Sequence, residues 1–220
     1  MSAQTAIVAW IVSAMVAWSP PGREHLIPEA KETEEATMGR YEDIAKSLVQ
    51  VTYNTENNPV FSGDFGRART TMLLLSIAYF ESGFRRDVDL GLGKVGSGDH
   101  GRSHCLLQIN MGVNRTDTTY LQHLIGKEWS VNDLLQDRTK CFFTGFSMVT
   151  KSFVACRSLP LEERLAGYAS GDCSKGRDES KTRIEKARRW FSGHAPPEKD
   201  AAVISEMKSQ DAVEPVIFHP

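Results

Sequence analysis

Apolar and polar positions alternate along this chain with a helical period in most places, and rarely with the two-residue period of a strand. Residues 66–82, GRARTTMLLLSIAYFES, are apolar on most sides from Met72 to Phe80, which predicts a buried central helix ending at Glu81 and Ser82. Residues 138–156 predict a second long helix, with Phe142, Phe146, Val149 and Phe153 as its stripe. Residues 40–53 place Tyr41, Ile44, Leu48 and Val51 on one face. Ser130 is the expected N-cap of a helix over 130–136, with Asp133 three residues on to close a capping box. LPLEERLAGYAS predicts a further helix through Leu161, Leu165 and Tyr168. Residues 174–191 are charged, with Ile184, Ala187 and the Trp190–Phe191 pair as packing contacts; the basic run from Lys175 to Arg189 reads as a solvated face.

Between these segments the pattern lapses. Residues 19–39 are rich in Pro, Gly and charge and read as a connecting loop. Residues 83–104 are glycine-rich and polar, which excludes a regular helix and leaves a loop or a small β-region before the short apolar CLLQIN. The expected class is therefore mainly α with a small sheet. A single domain over 1–192 is expected, followed by a tail over 193–220 that is partly disordered or docked.

The strongest apolar run, residues 3–18, is short for a membrane span, which needs about 20 residues. It also lacks the basic residues that precede a signal-peptide core. A buried first helix is the expectation, with a signal or anchor segment as the alternative, so membrane association stays open. A net charge of −2 supplies no global basic field, and nucleic acid is not an expected partner. A monomer is expected.

Four cysteines, Cys105, Cys141, Cys156 and Cys173, allow three pairings. Cys141 and Cys156 fall on one predicted helix, roughly 22 Å apart at 1.5 Å per residue, too far to bridge. Of the two remaining pairings, Cys105–Cys141 with Cys156–Cys173 is favoured. Buried free thiols are the other reading.

Glu81 carries the candidate chemistry. It ends an apolar helix between Phe80 and Phe84, where the charged form of a carboxyl is disfavoured and the group is suited to donate a proton. A helix-end Glu turned to solvent is the bland reading. The order E-S at 81–82, G-D-x-G at 98–101, L-x-Q-I at 106–109 and a Tyr in the small-residue turn GYASG resembles the goose-type lysozymes and the Slt-type lytic transglycosylases. The resemblance spans roughly residues 66–191 in three short blocks. It is closest to the goose-type pattern where Gly98, Asp99, Gly101, Leu106 and Gln108 fall in register.

That resemblance implies a lysozyme-like (α+β) fold and cleavage of peptidoglycan glycan strands between N-acetylmuramic acid and N-acetylglucosamine, with no cofactor and no metal. Glu81 corresponds to the family's acid and Asp99 to a carboxylate across the cleft. Ser82, Gln108, Asn110, Tyr168 and His100 are the implied substrate-binding positions, Ser82 with helix capping as its plain alternative. The chain departs from the pattern at Asn110, where goose-type enzymes often carry Asp, at Cys105, where Gly is usual, and at Ala169, where transglycosylases have Asn. Asn110 and the E-S pair favour a transglycosylase with Glu81 acting alone. The alternative is a hydrolase in which Asp99 activates water from about 6.5–9.5 Å away. A non-catalytic wall-binding or virion module is the third reading. The implied location is the bacterial periplasm or envelope, or a phage-encoded lysin or virion component. His100, His104 and Cys105 also pose a metal question, set aside because the stretch is glycine-rich rather than helical.

Overall fold

The computed structural model describes residues 1–22, 27–92, 101–112 and 114–211. Among them are ten α-helices and one two-stranded antiparallel sheet. The helices are α1 (Ala3–Trp18), α2 (Glu34–Thr52), α3 (Gly66–Ser82), α4 (Arg86–Asp89), α5 (Thr119–Ile125), α6 (Val131–Gln136), α7 (Arg138–Ala155), α8 (Ala166–Ser170), α9 (Arg177–Gly193) and α10 (Asp200–Asp211). The strands are β1 (Ser103–His104) and β2 (Ile109–Asn110), paired Ser103 to Asn110 and His104 to Ile109.

The apolar helix α3 is the centre of the molecule. Its residues from Thr70 to Ala78 are buried, and burying a Leu such as Leu74 contributes about 1.5–3 kcal/mol. Its polar residues cause no penalty there. The Thr70 and Thr71 hydroxyls donate to the carbonyls of Gly66 and Arg67 one turn back, and Ser76 Oγ donates to the Arg183 carbonyl on α9 at 2.7 Å. Phe65 at the N-cap offers no side-chain bond. The N–H groups of Arg67 and Ala68, which have no acceptor within the helix, instead donate to the Asp200 carboxylate at 2.7 and 3.2 Å. At the other end Gly83 takes φ +60°, the left-handed conformation a helix C-terminus uses and glycine adopts freely.

The apolar run at the start of the chain is a packed core helix. Ile7, Ile11, Ala14 and Met15 of α1 are buried in the same core as Tyr41, Ile44 and Leu48 of α2. None of the described helices is long and apolar enough to cross a membrane. Both favoured disulfides are present, Cys105–Cys141 and Cys156–Cys173, and such bonds fit an oxidising compartment outside the cytoplasm.

Four segments differ from the sequence expectation. Helix α2 begins at Glu34, six residues before the predicted start, because Thr33 accepts from the Ala36 N–H and two glutamates occupy the first turn. Helix α5 falls in a stretch for which no element was expected. The predicted helix through Leu161 and Tyr168 is broken into a 3-10 turn, Leu161–Glu163, and the short α8. Hydroxyls from neighbouring helices take over its backbone: Ser180 Oγ accepts from Leu165 N–H and donates to the Glu162 carbonyl, while Ser152 Oγ donates to the Arg164 carbonyl and accepts from Tyr168 N–H. Leu161 is left exposed. Beyond Gly193, α10 docks on the body, with Val203 buried and Glu206 accepting from the Gln4 N–H.

Candidate functional site

A cleft of about 650 Å³ opens where α3, the β-turn, α5, α7 and α8 meet. That is within the range of small-molecule and sugar-sized sites. Glu81, Gln108, Asn110 and Tyr168, four of the residues singled out from sequence, all line it.

The turn between β1 and β2 forms one wall. Cys105 and Gln108 have φ of 57° and 47°, in the left-handed region that non-glycine residues seldom enter. Such residues cost of order 1–3 kcal/mol each and persist where their surroundings over-determine them. Five restraints do so here. Gln108 N–H donates to the Cys105 carbonyl at 3.0 Å, and the Gln108 amide Nε2 donates to the same oxygen at 3.1 Å. Cys105 is bonded to Cys141 of α7. The Tyr168 hydroxyl donates to the Leu107 carbonyl at 2.9 Å. Leu107 also packs so closely over Gly145 of α7 that a Cβ there would stand 2.1 Å from its Cδ1, so any larger residue at 145 would displace the Leu107 side chain.

Glu81 reaches the cleft from the last turn of α3 with its side chain 22% exposed. It faces a charged partner rather than the apolar wall expected from its sequence neighbours. Arg183 Nη2 of α9 donates to Glu81 Oε1 at 2.5 Å, and the arginine side chain is 11% exposed. Phe80 is turned outward, while Phe84 is buried against Tyr41 and Tyr79. Tyr168 stands close enough to feel both charges. Burial first, then the Glu81 carboxylate, push its phenol far above the ordinary tyrosine value, with Arg183 opposing, so it serves as a neutral donor.

Arg183 is the site residue the sequence reading missed. It had been assigned to a solvated basic face, and a signal was available. Ser180, Ile184 and Ala187 are buried on α9 at helical spacing, and Arg183 lies on the same stripe.

Ser82 does not reach the cleft. Its buried hydroxyl donates to the Ala78 carbonyl at 2.6 Å and accepts from the Phe84 N–H at 3.2 Å, so it finishes the helix. His104 does not line the cleft either; it lies buried, with Nε2 3.4 Å from the Gly112 carbonyl, and burial lowers its proton affinity. Cys105 is spent in its disulfide, which removes it from the candidate metal set. Among the described residues no cluster of three metal-ligating side chains occurs. Asp99 and His100 lie outside the described residues.

Of the described residues lining the cleft, Glu81 is the single carboxylate and Lys151 the single cation. Comparison of the chain with protein-family models, with curated proteins and with solved structures gives no match.

Proposed function

We propose that the chain is a lysozyme-like enzyme that cleaves peptidoglycan glycan strands as a lytic transglycosylase, with Glu81 as acid and then base. The observation that carries the reading is the position of Glu81. A carboxyl delivered by a buried helix opens into a sugar-sized cleft beside the glutamine and tyrosine that the sequence pattern singles out. The chain order of central helix, small antiparallel hairpin and following helices supports the lysozyme-like assignment.

In this reading Glu81 gives its proton to the glycosidic oxygen as the anomeric C–O bond breaks. It then takes the proton of the sugar's own 6-hydroxyl, whose oxygen closes on the anomeric carbon. The product carries a 1,6-anhydro end, and no water is consumed. The ion pair with Arg183 holds the carboxyl in place before substrate enters, and entry of the sugar loosens the pair as the carboxyl takes up its proton. Tyr168 keeps the Gln108 turn in register through the Leu107 carbonyl. Asn110, where goose-type enzymes often carry Asp, and the E-S pair at 81–82 favour the single-acid route over the two-carboxylate hydrolase. Two disulfides fit work in the bacterial envelope, whether the enzyme is cellular or phage-encoded.

The test is mass spectrometry of digested peptidoglycan with the wild type and Glu81→Gln. Anhydro-muramic ends from the wild type and no products from the variant are expected. Reducing ends would replace the transglycosylase by a hydrolase. Undiminished digestion by Glu81→Gln would remove Glu81 from the chemistry altogether.

A further inference from the structure

The described lining of the cleft carries one charge of each sign. Glu81 enters it from α3, and Lys151 enters from α7. Glu81 is answered by Arg183. Lys151 pairs with no carboxylate among the described residues; its ammonium instead donates to the Leu124 carbonyl in the last turn of α5. That bond restrains an otherwise flexible cation at the rim of the cleft, and a held ammonium loses less freedom on meeting an anion. One backbone carbonyl occupies one of its three donors and leaves its charge uncompensated by any described carboxylate. Tyr120, one turn before Leu124 on α5, lines the same cleft with 40% of its surface exposed. An exposed aromatic ring and a held cation in one cleft suit a ligand that is part sugar ring and part carboxylate.

We infer that the Tyr120–Lys151 end of the cleft is a specificity site for the acidic peptide stem carried by the glycan, with Lys151 taking a stem carboxylate and Tyr120 lying against the adjoining sugar. The inference rests on the glycan-cleaving reading above and adds what that reading leaves open: the enzyme prefers strands that still bear their stems. Lys151 touches no reacting atom. It selects the substrate by charge, so its contribution is sensitive to salt.

The experiment compares the rate of anhydro-product release from intact peptidoglycan strands with that from strands whose stems an amidase has removed. It uses the wild type, Lys151→Gln and Lys151→Arg, with thermal melts confirming that each variant is folded. The wild type is expected to favour stem-bearing strands roughly three- to tenfold, the range of a partly exposed charged contact. Lys151→Gln should bring the ratio close to one, whereas Lys151→Arg should keep it, and raising salt should lower it in the wild type. If Lys151 served solely to close the end of α5, Lys151→Gln would cost thermal stability with the ratio unchanged, and the inference would be overturned. A wild type that cuts both substrates equally would also overturn it while leaving the glycan-cleaving function standing. A wild type that cuts neither would overturn both.

Discussion

Replacing Cys105 and Cys141 together by alanine opens a loop of 36 residues' separation in the unfolded chain. By the loop-closure relation, losing that constraint costs about 3.8 kcal/mol at 25 °C, whereas the 17-residue separation of Cys156 and Cys173 gives about 3.1 kcal/mol. For a chain of this size the first figure corresponds to a fall in Tm of roughly 8–15 °C. The cost should not stop at stability. The same bond holds the turn in which Cys105 and Gln108 have positive φ, and without it a conformation that costs of order 1–3 kcal/mol per residue has lost one of its restraints. The Tyr168 and Leu107 contacts remain, so the turn should loosen without leaving the cleft, and lysis should slow even at temperatures where the variant is folded. Urea unfolding of the two double-alanine variants, with lysis measured at 15 °C, tests both parts. A loss below about 1 kcal/mol for Cys105/Cys141 would refute the closure argument. Wild-type lysis by a demonstrably loosened turn would refute the link between that turn and the site.

Arg183→Met strands the Glu81 carboxylate. Fully buried pairs lose about 3–5 kcal/mol on such a change; with Glu81 partly exposed, a loss of about 2–3 kcal/mol is expected, and a double-mutant cycle with Glu81→Gln should show coupling, strict additivity arguing against the pair. Tyr168→Phe removes the donor to the Leu107 carbonyl and should cost about 1–2 kcal/mol in urea, with the fold retained by circular dichroism. Asp133, bonded to Lys140 and to the Ser130 cap, is held down to about 2. Its contribution is therefore complete above the unfolded carboxyl value near 4 and disappears as pH falls through about 2. The melting difference between wild type and Asp133→Asn should shrink over that window, and a difference constant to pH 2 would exclude the mechanism.

Legibility in the sequence followed how locally each element is determined. Helix α3 matches its expected bounds because an uninterrupted apolar run needs burial wherever it sits, and the Ser130–Asp133 capping box forms as read because both partners lie within one turn. Helix α7 ends one residue short of expectation. What failed was decided across the fold. No local pattern says that Ser152 and Ser180 will replace the backbone partners of residues 162–168. Nor does one say that Val203 will be buried and Asp200 will find two bare N–H groups on α3. The site divides the same way. Glu81, Gln108, Asn110 and Tyr168 were found by pattern and are gathered in one cleft, while Ser82, placed by the E-S pair with helix capping as its alternative, takes the capping form, because adjacent helix residues point about 100° apart. Arg183 was overlooked because charge was taken to mean solvent.

The helix that presents Glu81 is gripped at both ends by distant parts of the chain. Ser19 Oγ donates to the Gly83 carbonyl beyond its C-terminus, and the Asp200 carboxylate closes its N-terminus. A nascent chain therefore carries the helix long before it carries the second clamp. Until residue 200 has left the ribosome, two N–H groups at the head of α3 lack their native acceptor, so the helix that carries Glu81 is clamped at both ends only after all of the described wall around that carboxyl has been made.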